Sequence, residues 1–202
     1  MERFKSFFPE ISEYQWFLLN KYCDLLLDWN LKINLISRKD TEFVKEKHIL
    51  PVLASISLRN FVGVESILDV GTGGGIPGIP LAILFPKIHF TLLDSIHKKI
   101  TAVQDMVEKL SLNNVDVICD RVENLNINYD VIVGRGVTAF SDFVKLVRPY
   151  LNGKKGSIIY WTGGDLKTLL APWLKSKLQC LDLEVFFKHK FCESKKLLIY
   201  LA

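Results

Sequence analysis

Apolar positions near the start of the chain recur at the spacing of an amphipathic helix. They return every three or four residues: Ile11, Tyr14, Leu18, Tyr22, Leu25 and Trp29. Ser12 followed by Gln15 resembles a capping box, which predicts where this helix begins. A second helical stretch is predicted from about Thr41 and is bent or ended near Pro51, because proline lacks a backbone N–H. We therefore predict an N-terminal helical extension over residues 1–60.

Beyond residue 60 the pattern changes to short apolar strands that alternate with helices. Strands are predicted over 66–70, 88–93, 115–119, 129–133, 156–161, 183–188 and 197–201. Helices are predicted from Pro77 through 84, over 97–110 and over 140–151. Strands that alternate with helices imply a mostly parallel sheet with helices on both faces. The last two runs lie close enough for an antiparallel hairpin, so residues 61–202 are predicted to form one Rossmann-like α/β domain with a seven-stranded sheet.

The composition is that of an ordinary globular domain, with 49% hydrophobic and 24% charged residues in a chain of 202. The N-terminal segment lacks the features of a signal peptide, and no apolar run approaches the roughly 20 residues of a membrane span. The four cysteines are far apart and form no Cys-x-x-Cys pair: Cys23, Cys119, Cys180 and Cys192. We expect a cytoplasmic protein with no metal site, no disulfide framework and no membrane association.

Positive charge is concentrated in the last third of the chain. The net charge of +4 divides into +1 for residues 1–60, −3 for 61–135 and +6 for 136–202. Nine lysines of this last part could contact the phosphates of a nucleic acid: Lys154, Lys155, Lys167, Lys175, Lys177, Lys188, Lys190, Lys195 and Lys196. A solvated surface is the alternative, and charge by itself favours it.

A glycine-rich turn follows the first predicted strand directly. Gly71, Gly73 and Gly75 form G-x-G-x-G, where backbone amides can approach a ligand without obstruction by side chains. The next strand ends at Asp94, 23 residues after Gly71, where a carboxylate can accept hydrogen bonds from both ribose hydroxyls. Strand, glycines, helix, strand and terminal acid together predict a site for an adenosine-containing cofactor.

Two cofactors remain open on these residues alone. Gly73, Gly75 and Gly78 also satisfy G-x-G-x-x-G, the register of dinucleotide-binding domains, which would make the protein an NAD-dependent oxidoreductase. In that register Gly73 falls three residues past the strand instead of at its end. Asp69 before the turn, the G-x-G-x-G register and the terminal hairpin are instead typical of class I methyltransferases, which use S-adenosylmethionine.

Longer segments of the chain resemble one particular family. The matching segments are 29–30 with 34–35, 47–50, 68–73, 76–82, 91–95, 121–123 and Arg135. The run DVGTGGGIPGIPLA, joined to LLDS, is the specific part of this likeness. On these segments the chain resembles the glucose-inhibited division protein B family of bacterial 16S ribosomal RNA guanine-N(7) methyltransferases.

The resemblance implies S-adenosylmethionine as cofactor and 16S ribosomal RNA or the small ribosomal subunit as partner. It places the cofactor across Gly71 and Ile76, with Val122 and Glu123 beside the adenine. Arg135, which follows the fourth strand, would face the methionine or target end of the site. For Glu123 and Arg135 the alternative is a surface ion pair.

Three segments depart from the family pattern. Pro51 stands where the family has Asp after a His-Leu pair, and residues 134–140 replace Ser-Arg-Ala-Phe-Ala. Thr162-Gly163 replaces Lys-Gly, so a basic side chain is missing near the presumed RNA-facing edge. The missing Lys is the main support for a second alternative, a catalytically inactive RNA-binding assembly protein of methyltransferase fold. The intact glycine turn and Asp94 argue against that alternative.

Methylation of guanine nitrogen-7 needs few catalytic residues. This nitrogen presents a lone pair and has no proton to lose, so catalysis rests on positioning and desolvation. The sequence agrees, because the Asp/Asn-Pro-Pro-Tyr/Phe segment that positions an exocyclic amine is absent after the fourth strand. The segment 134–137 stands there instead. His48, Phe140 and Trp161 could approach or stack on a base, although a structural role is the more common one for such residues.

Overall fold

The computed structural model describes residues 1–58, 61–153, 156–163, 177–187, 192 and 194–202. The predicted boundary between the helical extension and the α/β domain falls at residues 59–60, which lie outside this set. The division of the chain at residue 60 therefore stays a prediction.

The N-terminal region is helical, as predicted. A 3-10 helix, Glu2–Phe7, precedes the long helix α1, Glu13–Asn30. The capping box at Ser12 is formed in both directions, because Ser12 Oγ accepts from Gln15 N and the Gln15 side chain accepts from Ser12 N. These two hydrogen bonds explain why α1 begins where the sequence predicts.

The second helical stretch is irregular and continues past Pro51. It consists of a 3-10 helix Arg38–Phe43, a π-helical turn Lys45–Ile49, a short α-helix α2, Leu50–Leu53, and a 3-10 helix Ala54–Leu58. Pro51 lies in the first turn of α2, where its missing N–H breaks no intrahelical hydrogen bond. The proline therefore marks a change of helix type instead of an end.

The α/β part contains the predicted seven-stranded sheet. Its strands are β1 Ser66–Val70, β2 His89–Asp94, β3 Val115–Cys119, β4 Val131–Arg135, β5 Ser157–Gly163, β6 Leu178–Asp182 and β7 Lys195–Leu201. The strand order is β3-β2-β1-β4-β5-β7-β6. Only β7 runs antiparallel to its neighbours among these strands, as predicted from the sequence.

Helices cover both faces of the sheet. They are α3 Gly78–Leu84, α4 His97–Leu110, α5 Phe140–Val147 and the short α6 Leu183–Phe187. Buried residues of α1, α3 and α4 join one side of the sheet in a single hydrophobic cluster. Residues of α5 form a second cluster with the opposite side. The sheet is thus buried on both faces, as its continuous apolar strands predict.

The predicted strand over 183–188 is wrong. Residues 183–187 form α6, and the strand that pairs with β7 is the preceding segment β6. Asp182 explains the change, because its Oδ1 accepts from Glu184 N at 3.2 Å, as an N-cap residue does. The hairpin itself is confirmed, with a longer connection than expected.

No helix in the described ranges combines the length and the apolar character that a membrane span requires.

Candidate functional site

The glycine turn lies at the carboxyl end of β1, in the middle of the sheet. Gly71, Gly73 and Gly75 all have positive φ, at 69°, 60° and 88°. Residues other than glycine rarely adopt this conformation, so the backbone path of the turn explains why glycine occupies these three positions. The amides of Gly71 and Thr72 both donate to the carbonyl of Leu93, which ties the turn to the end of β2.

Asp69, in β1, accepts hydrogen bonds from two residues of the turn segment. Its side chain is fully buried, and Oδ2 accepts from Thr72 Oγ1 at 2.7 Å and from Gly78 N at 2.9 Å. Burial raises the pKa of the Asp69 carboxyl to about 7, and the two hydrogen bonds oppose this rise. Asp69 therefore links both ends of the segment 72–78 to β1 and is a structural residue of the site.

Asp94 ends β2 beside the same turn. Its Oδ2 accepts from Gly73 N at 3.0 Å and its Oδ1 accepts from Ile96 N at 3.0 Å, while Lys99 Nζ lies 3.6 Å from Oδ2. Asp94 as a residue is 6% exposed. It is fixed in orientation by the backbone on both sides and lines the adjacent cavity.

Helix α1 supports the glycine turn from the N-terminal region. Tyr22 is completely buried, and its hydroxyl donates to the carbonyl of Gly74 at 2.8 Å. Gln15 Nε2 donates to the carbonyls of Ile83 and Leu84 at the end of α3. The turn and the helix that follows it are therefore both anchored to α1.

A cavity of about 490 Å³ opens beside the turn, at the carboxyl ends of β1, β2 and β4. Four of the eight residues predicted for the cofactor line it: Gly71, Asp94, Val122 and Glu123. Val122 is buried and Glu123 is exposed. The volume of the cavity is in the range of small-molecule sites, and the cavity lies at the strand ends, where α/β proteins bind ligands.

The other four predicted residues do not line this cavity. Gly73 donates to Asp94, and a Cβ on Gly75 would lie 2.5 Å from Ile79 Cδ1, so this glycine allows the turn to pack on α3. Ile76 is 7% exposed and belongs to the core. Arg135 lines a different cavity, which shares Gly136 with this one.

Arg135 forms no surface ion pair with any of the described residues. Its Nη2 donates to Nδ1 of His48, which lies in the π-helical turn. His48 Nε2 in turn lies 3.3 Å from Asp40 Oδ2. Burial, together with the charge of Arg135, lowers the pKa of His48 to about 3, so the imidazole is neutral and its Nδ1 can accept. His48 is thus a structural partner of Arg135.

A second, smaller cavity of about 170 Å³ adjoins Arg135. It is also lined by Lys47, Gly136, Trp161, Lys195 and Lys196. In the sheet, Lys196 is paired with Thr162 and Lys195 with Gly163. The Lys that the family pattern places before Gly163 is absent from this chain, but β7 brings two lysines next to the Thr-Gly pair.

Sequence reasoning also missed Tyr160. Its hydroxyl accepts from the amides of Val137 and Thr138 and donates to the carbonyl of Thr138 at 2.7 Å. Tyr160 therefore holds the segment after β4, in which Gly136 lines both cavities and Val137 lines the larger of the two. No local motif predicts this role, because the contacts join residues 22 and 23 positions apart.

The predicted aromatic contacts are both buried. Phe140 is 0% exposed and belongs to the core beneath α5. Trp161 is 3% exposed, and its Nε1 donates to the carbonyl of Pro51. Lys154, Lys155, Lys167, Lys175, Lys188 and Lys190 lie outside the described residues. Within the described residues, no group of three or more His, Cys, Asp or Glu side chains could hold a metal ion.

Comparison with known proteins identifies relatives along nearly the whole chain. A family model described as rRNA small subunit methyltransferase G matches residues 15–197. The ribosomal RNA small subunit methyltransferase G of Christiangramia forsetii is 41% identical, covering 100% of this chain and 96% of the relative. That of Flavobacterium psychrophilum is 42% identical, covering 97% and 95%.

Solved structures share the fold at low identity. Precorrin-6y C5,15-methyltransferase from Geobacter metallireducens has a TM-score of 0.55 at 16% identity, covering 84% of this chain and 92% of that chain. The plantazolicin methyltransferase BpumL, in complex with SAH, also has a TM-score of 0.55, at 14% identity, covering 94% and 99%.

Sheet order, terminal antiparallel strand and glycine turn thus define a class I methyltransferase fold, whose cofactor is S-adenosylmethionine. The chain belongs to the family of rRNA small subunit methyltransferase G and is a ribosomal RNA methyltransferase. This membership decides against the NAD-dependent oxidoreductase.

Proposed function

We propose that this protein transfers the methyl group of S-adenosylmethionine to nitrogen-7 of a guanosine in 16S ribosomal RNA. The observation that carries the proposal is the 490 Å³ cavity, which joins the glycine turn, Asp94 and the segment after β4. The names of the relatives support the small-subunit RNA as substrate. A substrate of this kind is found in the cytoplasm, where we propose that the protein acts.

The residues around the cavity fit an adenosine-containing cofactor. Asp94 is proposed to bind the ribose hydroxyls, and Val122 with Glu123 the adenine. Gly71, Gly73, Gly75 and Ile76 are proposed to form the backbone path against which the rest of the cofactor lies. When bound, the cofactor supplies a methyl group attached to a positively charged sulfur.

The chain's own groups then have to position the base and exclude water. Nitrogen-7 carries a lone pair and needs no general base, and Gly136 leaves the cavity mouth free of a side chain at the end of β4. Tyr160 fixes Val137 and Thr138 beside that mouth. Arg135, buried next to Gly136, is proposed to face the target end of the site. Its charge would attract the RNA there, and Arg135 would not serve as a general acid or base.

The target guanosine has to leave its helical stack before it can react. Nitrogen-7 lies on the major-groove edge, and A-form RNA keeps that groove deep and narrow. A base in a loop, or one extruded from the stack, can enter a cavity of this size. The proposed substrate is therefore a guanosine in an exposed or openable part of the RNA.

Mapping of nitrogen-7 methylation in small-subunit RNA tests the proposal. RNA from cells with the gene is compared with RNA from cells without it, and with RNA from cells that carry only Asp94→Ala. We expect one methylated guanosine that is lost in both of the latter. An unchanged methylation map contradicts the proposal and favours the inactive assembly protein.

A further inference from the structure

The smaller cavity, beside Arg135, gathers positive charge from three distant parts of the chain. Lys47 comes from the π-helical turn, Arg135 from the end of β4, and Lys195 and Lys196 from the start of β7. These ends meet because β7 runs antiparallel to β5, which brings its start to the edge where the parallel strands finish.

Two of the four cations already have a carboxylate partner. Lys47 Nζ lies 2.5 Å from Asp40 Oδ1, and Lys196 Nζ lies 2.5 Å from Asp182 Oδ2. Within the part of the chain that the structure describes, neither Arg135 nor Lys195 forms an ion pair. Burial and the nearby charge of Arg135 lower the pKa of Lys195. Two mutually repelling cations thus line one small cavity.

Arg135 also keeps an unused donor. Its Nη2 binds His48, whereas Nη1 is buried and has no hydrogen-bond partner among the described residues. A buried guanidinium donor without an acceptor costs free energy, which favours an anion beside Arg135. The free donor and the unpaired Lys195 call for the same kind of ligand.

The position of the cavity indicates which anion it receives. Gly136 lines both this cavity and the 490 Å³ cavity, so the two are neighbours separated by a residue without a side chain. Gly136 and Gly163 are exposed, which leaves the smaller cavity open to a macromolecule. A nucleotide whose base reaches past Gly136 would carry its backbone phosphates towards Arg135 and Lys195.

We propose that the cavity between Arg135 and Lys195 binds a backbone phosphate of the substrate RNA next to the methylated nucleotide. This inference rests on the proposed function, because it takes RNA as the substrate. Lys195 then supplies from β7 the cation that the Thr-Gly pair at the end of β5 lacks. The phosphate contact fixes how far the base reaches into the cofactor cavity.

The test compares two lysines of the same hairpin. Lys195→Gln removes the charge at the cavity, and Lys177→Gln removes the same charge from an exposed position at the opposite end of the hairpin. Affinity for an unmodified 16S RNA transcript is measured at several salt concentrations, and affinity for S-adenosylmethionine is measured by calorimetry. Circular dichroism and thermal unfolding verify that each variant is folded.

We expect Lys195→Gln to weaken RNA binding about tenfold or more and to lower the log–log salt slope by about 0.7. Cofactor affinity should stay unchanged, Lys177→Gln should behave as wild type, and Lys195→Arg should restore RNA binding. Equal RNA affinity in Lys195→Gln and wild type overturns the inference, as does equal weakening by both glutamine variants.

A loss of cofactor affinity without a loss of RNA affinity also overturns the inference, since it would assign the cavity to the cofactor carboxylate. Failure of the proposed function is distinguishable from these outcomes. It would appear as absent methyl transfer by the wild type, whereas the comparison of the lysines uses binding alone.

Discussion

Arg135 at the end of β4 donates to Nδ1 of His48 in the π-helical turn, so the helical N-terminal region and the sheet meet at the edge of the site. The contact requires a neutral imidazole, because a protonated ring has no acceptor and would place a second cation beside Arg135. Protonation of His48 therefore opposes folding.

His48 should make the stability of the protein fall in acid. Its pKa is about 3 in the folded chain, against an ordinary value of 6.5. Between these values the unfolded chain binds more protons, so the free energy of unfolding decreases as the pH falls from about 6.5 towards 3. His48→Gln should weaken this dependence, and the exposed His97→Gln should not. Urea unfolding at pH 7.5 and pH 5 gives the free energy of unfolding at each pH. If the difference between the two values is the same in His48→Gln as in wild type, His48 is not the cause of the acid sensitivity.

Asp94→Ala should lower the affinity for S-adenosylmethionine by on the order of a hundredfold or more, because two charge-assisted hydrogen bonds to the ribose are lost. The matched control is Asp120→Ala, which removes a half-buried carboxylate that lines the same cavity. Calorimetry on folded variants measures both affinities. Equal affinities for wild type and Asp94→Ala would place the ribose elsewhere.

Gly73→Val and Gly63→Val separate backbone strain from cofactor binding. Both glycines have positive φ, and a Cβ at either position meets no atom closer than 3.9 Å. Each substitution should cost about 1–2 kcal/mol of stability for the left-handed conformation. Only Gly73→Val should also lose cofactor binding, since Gly73 donates to Asp94 and is proposed to lie on the backbone path of the cofactor. Normal cofactor binding by Gly73→Val would mean that the turn serves structure alone.

Tyr160→Phe should destabilise the segment after β4. The variant loses the acceptor for the amides of Val137 and Thr138, at a cost of about 1–3 kcal/mol. Chemical unfolding measures this loss, and amide hydrogen exchange should be faster at these two positions. Tyr14→Phe, at an exposed tyrosine, is the control and should change neither quantity. Slow exchange in Tyr160→Phe would show that the segment is held by other contacts.

Most of the fold could be predicted because its signals are local. Helix α4 agrees with the prediction over 97–110 since one apolar face repeats along it without interruption. Strand β6 could not be predicted, because it lies at the sheet edge. Gln179 and Cys180 are both exposed there, so the strand shows no alternation of apolar and polar positions.

The two cavities also differ in whether the sequence alone could predict them. Gly71 and Asp94 belong to a motif of fixed spacing, so the sequence alone locates the larger cavity. The smaller one joins Lys47 of the π-helical turn with Arg135 and Lys195 of two strands, and only the tertiary structure brings these three residues together. Sequence reasoning counted the lysines of the last third correctly, but charge counts carry no information about which of them face one another.

The hydrogen bond from Tyr22 to Gly74, with the bonds from Gln15 to the end of α3, changes how a genetic screen of this protein should be interpreted. Neither side chain lines the 490 Å³ cavity, yet each holds an element that shapes it. Substitutions at these positions should therefore be recovered with the same phenotype as substitutions of the glycines. A map of loss-of-methylation alleles would extend into α1, and alleles found there would report a displaced turn.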